Sequence, residues 1–230
     1  MNLINKLFKF EDRDDRIVGQ ILFFKFKITK SLNNKIYVIK NGKKKLLFGK
    51  IKGLRVKFRG RNNTVEIAYP TCFRNSVFCI SGENNLIKID ETKYTINNLE
   101  IDMDNPCKNK TVHIKKNVSM TGAEIHSWES DSKIIIGEDC MLSWGISIRS
   151  GDGHIITNKN STEKINFGKD CIIGNHVWIG QNVHITKNVK IGNNCIIGEC
   201  SVVTKSFEED NIAIAGVPAK IIKRDIDWIR

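Results

Sequence analysis

Proline is scarce in this chain, with 3 residues in 230. Long disordered linkers are usually rich in proline and other structure-breaking residues, so we do not expect one here. The hydrophobic content of 40% is sufficient for a packed core. The sequence therefore predicts one folded unit or two small ones, without a long linker between them.

Long uninterrupted apolar runs are also missing. The stretch from Ile17 to Ile28 is too short to cross a bilayer, and Lys25 and Lys27 interrupt it. Acidic residues precede the stretch and no small-residue cleavage site follows it, so we do not expect a secretory signal peptide. Neither a transmembrane helix nor secretion is predicted.

The 7 cysteines do not form a small disulfide framework, because their number is odd and the chain is not short. Cys140, Cys171 and Cys195 fall at inward positions of the repeat described below, so they are expected to be reduced core residues. This usage of cysteine predicts a cytoplasmic protein.

Positive charge is concentrated in the first third of the chain. The net charge is +12, and residues 1–70 hold 18 Lys/Arg against 5 Asp/Glu. Between Lys35 and Arg61 apolar and basic residues alternate, which predicts short strands with one basic face. This face has two interpretations: attraction to an anionic membrane surface or acidic polymer, or a solvated lysine face that blocks pairing at the edge of a sheet.

A repeat of six residues dominates the second half of the chain. The leading apolar positions are Phe167, Ile173, Ile179, Ile185, Ile191, Ile197 and Val203. A second inward register lies two residues earlier: Ile165, Cys171, Val177, Val183, Val189, Cys195 and Ser201. A period of six fits neither the 3.6 of a helix nor the 2 of a simple strand. It is typical of a β-solenoid, in which short strands turn corners and successive coils stack.

A looser form of the repeat precedes the strict one. Asparagine pairs introduce alternating segments at 62–67, 84–89 and 97–101, and asparagine tolerates the left-handed conformation of tight corners. We predict four parts, the last with a short helix. They are an N-terminal cap or attachment segment at 1–35, irregular coils at 36–133, a regular β-helix at 134–205 with a loop at 149–166, and a C-terminal segment at 206–230.

The strict period breaks at the segment Ser150-Gly151-Asp152-Gly153-His154. His154 stands where an aliphatic residue is due, and an imidazole has a suitable pKa for a general base near neutral pH. The alternative is that His154 only begins a surface loop. Asp152 has three open roles: it orients the imidazole, holds an acceptor, or caps the turn.

Several segments resemble the hexapeptide-repeat acetyltransferases, namely Gly174–Gly180, Ile191-Gly192, Ile197-Gly198, Ser201–Lys205 and Ala215–Lys220. Within that superfamily, the segment from Ser150 to His154 and the terminal Ile226-Asp227-Trp228 resemble the O-acetyltransferases of bacterial capsule and lipopolysaccharide sugars. The polysialic acid O-acetyltransferases are the nearest type. The resemblance covers roughly residues 130–228.

This resemblance implies an all-β fold, the left-handed parallel β-helix, and a homotrimer with active sites between subunits. It implies acetyl-CoA as donor, with the pantetheine arm along the coil edges. His154 is then the general base and Trp178 lines the thioester site. The expected contacts to the donor come from Trp178, Gly180, Gly198, Thr204, Lys205, Lys220 and Lys223.

The sequence therefore favours an enzyme that acetylates a hydroxyl of a surface polysaccharide, in the cytoplasm or at the inner face of the membrane. Two alternatives stay open: an acetyltransferase for a small acceptor such as an antibiotic or a nucleotide-linked amino sugar, and a structural solenoid without activity. A zinc site would need converging imidazoles, whereas His176 and His184 are spaced for different faces of a coil. We expect no metal and no nucleic-acid partner.

Overall fold

The computed structural model describes residues 8–13, 16–21, 24–29, 32–103 and 107–230, with the backbone alone for the first three segments. The predicted N-terminal segment at 1–35 therefore lies largely outside the described side chains. The described residues form β-strands and no helix, which confirms the predicted all-β class.

In chain order the strands are β1 (Phe8–Arg13), β2 (Arg16–Ile21), β3 (Phe24–Thr29), β4 (Lys35–Lys40), β5 (Lys43–Leu46), β6 (Leu54–Phe58), β7 (Thr64–Ala68), β8 (Cys72–Arg74), β9 (Ser76–Ile80), β10 (Leu86–Ile89), β11 (Thr95–Asn97), β12 (Leu99–Met103), β13 (Thr111–Ile114), β14 (Ser119–Met120), β15 (Ala123–His126), β16 (Lys133–Ile136), β17 (Met141–Leu142), β18 (Ile146–Arg149), β19 (Cys171–Ile173), β20 (Trp178–Ile179), β21 (His184–Ile185), β22 (Lys190–Ile191), β23 (Ile196–Ile197), β24 (Val202–Val203), β25 (Ala213–Gly216) and β26 (Ala219–Lys223).

Three sheets form the faces of a parallel β-helix. The first face holds β4, β7, β10, β13, β16, β19 and β22, the second β8, β11, β14, β17, β20, β23 and β25, and the third β6, β9, β12, β15, β18, β21 and β24. The chain visits the faces in that order, and each strand pairs in parallel with the strand one coil away. Strands β5 and β26 add antiparallel edges, and β1–β3 form a separate antiparallel sheet.

The coils differ in length along the solenoid. In the regular part Ile172 pairs with Lys190, 18 residues later, and strands on the second and third faces have two residues. Upstream, Leu86 pairs with Thr64 and with Thr111, which are 22 and 25 residues away. The coil between Ile134 and Cys171 is longer because it contains the interrupting loop.

The inward positions form one continuous apolar core from Val65 to Ala219. Every inward residue predicted from Cys171 to Val203 is buried. The assignment of Ile165 and Phe167 to the same registers is wrong, because these side chains are 50% and 58% exposed. The chain is still outside the coil at this point, and it re-enters the helix only at Cys171.

Asparagine shapes the corners, as predicted. Asn62, Asn84 and Asn98 have φ angles of 55°, 58° and 48°, in the left-handed region. The second member of an asparagine pair can point inward: Asn85 is buried, and its Oδ1 accepts a hydrogen bond from the Lys110 backbone N–H at 2.9 Å. These amides replace backbone partners that a turning chain cannot supply.

The prediction of a helical C-terminal segment is wrong. Strands β25 and β26 form an antiparallel hairpin that reverses at Gly216, whose φ is 105°. Ile212 and Ile214 are buried in alternation along the second face, and a helix would turn one of them away from the core. The described residues contain no helix long and apolar enough to span a membrane.

Candidate active site

The interrupting loop leaves the coil at the corner between the third and first faces. Strand β18 ends at Arg149, and the chain returns at Cys171. His154 is exposed in this loop, and its backbone carbonyl accepts a hydrogen bond from Asn166 Nδ2 at 2.9 Å. The imidazole therefore stands beside the coil instead of filling the aliphatic position of the repeat.

Asp152 ties the loop to the next coil. Its Oδ2 accepts hydrogen bonds from Lys187 Nζ at 2.5 Å and from Asn166 Nδ2 at 2.8 Å. Partial burial raises the pKa of Asp152, but the hydrogen bonds from Lys187 and Asn166 outweigh it and hold the pKa below its usual value. The carboxylate is thus ionised and contacts these two residues instead of the imidazole of His154.

Glu129 closes the base of the loop. Its carboxylate accepts two hydrogen bonds from Lys164 Nζ, at 2.7 and 2.8 Å, and one from the Gly168 backbone N–H at 3.0 Å. A Cβ added at Gly168 would lie 2.0 Å from the Ser150 carbonyl oxygen, so the entry and exit of the loop touch there. The loop is consequently anchored at its two ends and at Asp152.

An aromatic cluster lies below the loop on the outer surface of the third face. The Trp128 indole N–H donates to Asp102 Oδ2 at 2.9 Å, and the His126 ring lies 4.5 Å from the Trp128 ring. Sequence reasoning missed Trp128, because it belongs to no repeat position and precedes the motif by more than twenty residues.

Trp178 lies on the second face and is 38% exposed. Its ring centroid is 6.2 Å from that of Trp228, which stacks on the imidazole of His176 at 4.1 Å. The Trp228 indole N–H also donates to the His176 carbonyl at 2.9 Å, and Arg230 donates to the Asp139 carbonyl at 3.0 Å. The C-terminal tail therefore covers the coil beside Trp178.

The predicted donor-binding residues divide among three places. Gly180 and Gly198 occupy successive positions at the corner between the second and third faces, and a Cβ at Gly180 would lie 2.7 Å from the Glu199 backbone nitrogen. Thr204 and Lys205 follow β24 at the corner between the third and first faces. Lys220 and Lys223 are exposed on β26, beside the second face. The width of the third face separates the glycine corner from Thr204 and Lys205.

The described structure brings some predicted residues together and not others. His154 lies at a corner that the second face does not share, so one chain does not join its imidazole to Trp178. Asp152 and His154 share the loop, and Gly180 and Gly198 share a corner. Among residues 32–103 and 107–230, no group of three His, Cys, Asp or Glu side chains converges as metal ligands would.

The buried cysteines are poor nucleophiles. All seven are free, and burial raises the pKa of Cys140 and of Cys171 to about 12. Both are therefore neutral thiols near neutral pH. This agrees with their prediction as core residues.

Comparison with known proteins gives consistent similarities. The family model for the bacterial transferase hexapeptide (six repeats) matches residues 170–205. The polysialic acid O-acetyltransferase of Neisseria meningitidis is 38% identical over 190 residues, which cover 75% of this chain and 88% of that protein. That of Escherichia coli O1:K1 / APEC is 50% identical over 97 residues, 42% of this chain and 31% of that protein.

Solved structures give the same result. The polySia-specific acetyltransferase NeuO aligns with a TM-score of 0.72 and 32% identity over 86% of each chain. The polysialic acid O-acetyltransferase OatWY aligns with a TM-score of 0.52 and 34% identity, over 77% of this chain and 91% of that one. The predicted left-handed parallel β-helix is thereby confirmed.

Proposed function

The chain belongs to the hexapeptide-repeat O-acetyltransferases, and from this premise we propose that it moves an acetyl group from acetyl-CoA to a hydroxyl of a bacterial capsule or lipopolysaccharide sugar. The observation that carries the proposal is the loop at 150–170, which interrupts an otherwise regular helix to present His154. The names of the relatives support a polysaccharide as the acceptor.

In the proposed reaction His154 is the general base. A sugar hydroxyl is a weak nucleophile at neutral pH, whereas a thioester carbonyl is already activated. The neutral imidazole accepts the hydroxyl proton as the oxygen attacks the acetyl carbonyl. The resulting tetrahedral oxyanion accepts a hydrogen bond from the Trp178 indole or a backbone N–H. Cleavage of the C–S bond releases the CoA thiolate, which takes the proton from His154.

The proposed active site is shared between copies of the chain in a homotrimer. His154 and Trp178 stand on different sides of one coil, so each site combines His154 of one copy with Trp178 of its neighbour. Direct transfer is preferred over a covalent intermediate, because the raised pKa of Cys140 and Cys171 leaves them as neutral thiols.

Acetyl-CoA has a proposed place along the C-terminal coils. The backbone at Gly180 and Gly198 is bare enough for the pantetheine arm to approach. The exposed ammonium groups of Lys220 and Lys223 suit phosphate groups, with Thr204 and Lys205 near the adenosine end. No metal takes part in the proposed reaction.

The acceptor has a proposed docking surface at the other end of the solenoid. Strand β5 carries exposed Lys43, Lys44 and Lys45 at the edge of the first face, and strand β6 adds exposed Arg55 and Lys57. Such a surface attracts a polyanion such as polysialic acid, or the headgroups of an anionic membrane. We place the reaction in the cytoplasm, at the inner face of the membrane when the acceptor is lipid-linked.

Acetyl-CoA consumption against a panel of capsular and lipopolysaccharide glycans tests the proposal. We expect transfer to at least one glycan, and His154→Ala should lower it by about 10²- to 10⁴-fold without changing the melting temperature. His113→Ala is the matched control, because this imidazole pairs with Asp90 at 2.8 Å on the first face.

Three results would contradict parts of the proposal. Full activity of His154→Ala would remove the general base. Transfer to antibiotics or nucleotide sugars, with none to glycans, would make the acceptor a small molecule. A chain that consumes acetyl-CoA with no acceptor at all in the panel, or binds none, would be a structural solenoid instead of a polysaccharide acetyltransferase.

A further inference from the structure

We propose that Trp128 is a positioning residue that supports the loop backbone carrying His154. The inference rests on the proposed role of His154 as general base. Trp128 lies two residues after β15, and β15 pairs with β18 so that His126 is opposite Arg149. The same register brings Trp128 opposite Gly151, directly below the start of the loop.

The loop backbone lies on the indole. A Cβ added at Gly153 would be 3.2 Å from Cε3 and 3.3 Å from Cζ3 of Trp128, in the six-membered ring. Gly153 also has a φ of 79°, which favours glycine. A side chain at this position would therefore push the backbone off the ring, and His154 is the next residue.

The indole itself is held in one orientation. Its N–H donates to Asp102 Oδ2, and the His126 ring packs against it at 4.5 Å. The Trp128 backbone N–H donates to Ser150 Oγ at 3.2 Å, which links it to the residue where the loop begins. A flat ring with few rotatable bonds and a fixed N–H is a rigid support.

His154 depends on this support more than its neighbours do. Its described hydrogen bond is through the carbonyl, to Asn166, so the position of the imidazole follows from the position of the backbone. A displacement of about 1 Å in a reacting group can cost about 100-fold in rate. Trp128 thus acts on the reaction through Gly153 and His154 without touching the reacting atoms.

Two glycine variants of the full-length protein test the contact. Gly153→Ala should lower kcat by about 10-fold or more while the KM for acetyl-CoA stays within about two-fold. Gly151→Ala is the matched control, because an added Cβ there has ordinary contacts of 3.5 Å. We expect it to keep kcat within about two-fold.

Substitutions of Trp128 test the support itself. Trp128→Leu should lower kcat about 10-fold or more, and Trp128→Phe should lose less because it keeps a flat ring. Combined with Gly153→Ala, Trp128→Leu should lose less than the product of the two single losses, because both remove one contact. Hydrogen exchange of peptides spanning 150–166 should be faster in Trp128→Leu than in the unchanged protein.

Several outcomes would overturn the inference: equal losses for the two glycine variants, full kcat in Trp128→Leu, or unchanged hydrogen exchange of the loop. An increase in the acceptor KM alone would make Trp128 an acceptor-binding residue instead. The proposed function fails separately, by full activity of His154→Ala, and the hydrogen-exchange result would still report on the support of the loop.

Discussion

The upstream and downstream coils of the solenoid solve the same packing problem with different outer surfaces. Upstream strands such as β12 and β15 have four or five residues, so two outward side chains stand on each and form clusters such as Asp102, His126 and Trp128. Downstream strands such as β20 and β21 have two residues, and bare corners such as Gly180 separate them. Longer strands support side-chain networks, whereas short strands expose the backbone.

Substitution of the core should cost the same in both regions and should be the largest effect on stability. Ile125 and Ile185 lie in one inward column of the third face and are fully buried. Replacing either by Ala should lower the free energy of unfolding by about 2–5 kcal/mol, because each leaves a cavity.

Denaturant unfolding followed by circular dichroism measures both values, and Ile229→Ala, at a site 95% exposed, is the control. If Ile125→Ala unfolds the upstream coils in a separate transition, then the two regions are independent units and the comparison fails.

The asparagine hydrogen bonds should separate the two regions. Asn85 is 1% exposed, and its side chain binds the Lys110 backbone N–H and the Ser81 carbonyl. Asn85→Ala should cost about 1–3 kcal/mol of unfolding free energy, because both bonds are buried. The downstream counterpart Asn175 is exposed, with its Oδ1 on the Glu138 N–H.

Asn175→Ala should therefore cost less than about 1 kcal/mol, because water replaces the lost partner. Thermal and denaturant unfolding of the two variants under identical conditions gives the difference. Equal costs would show that the corner amides do the same work along the whole solenoid.

The lysines should divide by substrate, with the smallest effect. Replacing Lys220 and Lys223 by Gln should raise the KM for acetyl-CoA about 10-fold and leave the acceptor KM unchanged, because two phosphate contacts are lost. Replacing Lys43 and Lys45 by Gln should do the reverse with an anionic polymer, and more strongly at low salt. Initial-rate kinetics with each substrate varied checks both, and a rise in the acetyl-CoA KM from the upstream pair would remove the division.

Periodicity predicted the core well because burial in a solenoid follows a short local repeat. It placed Ile173, Ile179 and Ile185 correctly, and it failed at Ile165 and Phe167, where the chain keeps the spacing but has not re-entered the coil. The C-terminal strand pair was missed for a related reason. Antiparallel pairing around Gly216 depends on the second face as a template, and the local sequence does not contain that template.

The candidate site shows the same limit more sharply. His154 and Asp152 were found as a break in a pattern, which one sequence displays. Trp128 was missed because its contact with Gly153 depends on the register between coils of unequal length, 22 to 25 residues upstream. Unequal coils shift which residues meet, so no fixed spacing in the sequence marks the pair.

By itself the sequence determined the solenoid, its inward residues and the position of the interruption, because each follows from side-chain types at local spacing. Only the tertiary structure decided what the loop rests on, which cation holds Asp152, and on which sides of the coil His154 and Trp178 stand. These are contacts between residues distant in the chain, and stacking of the coils creates them.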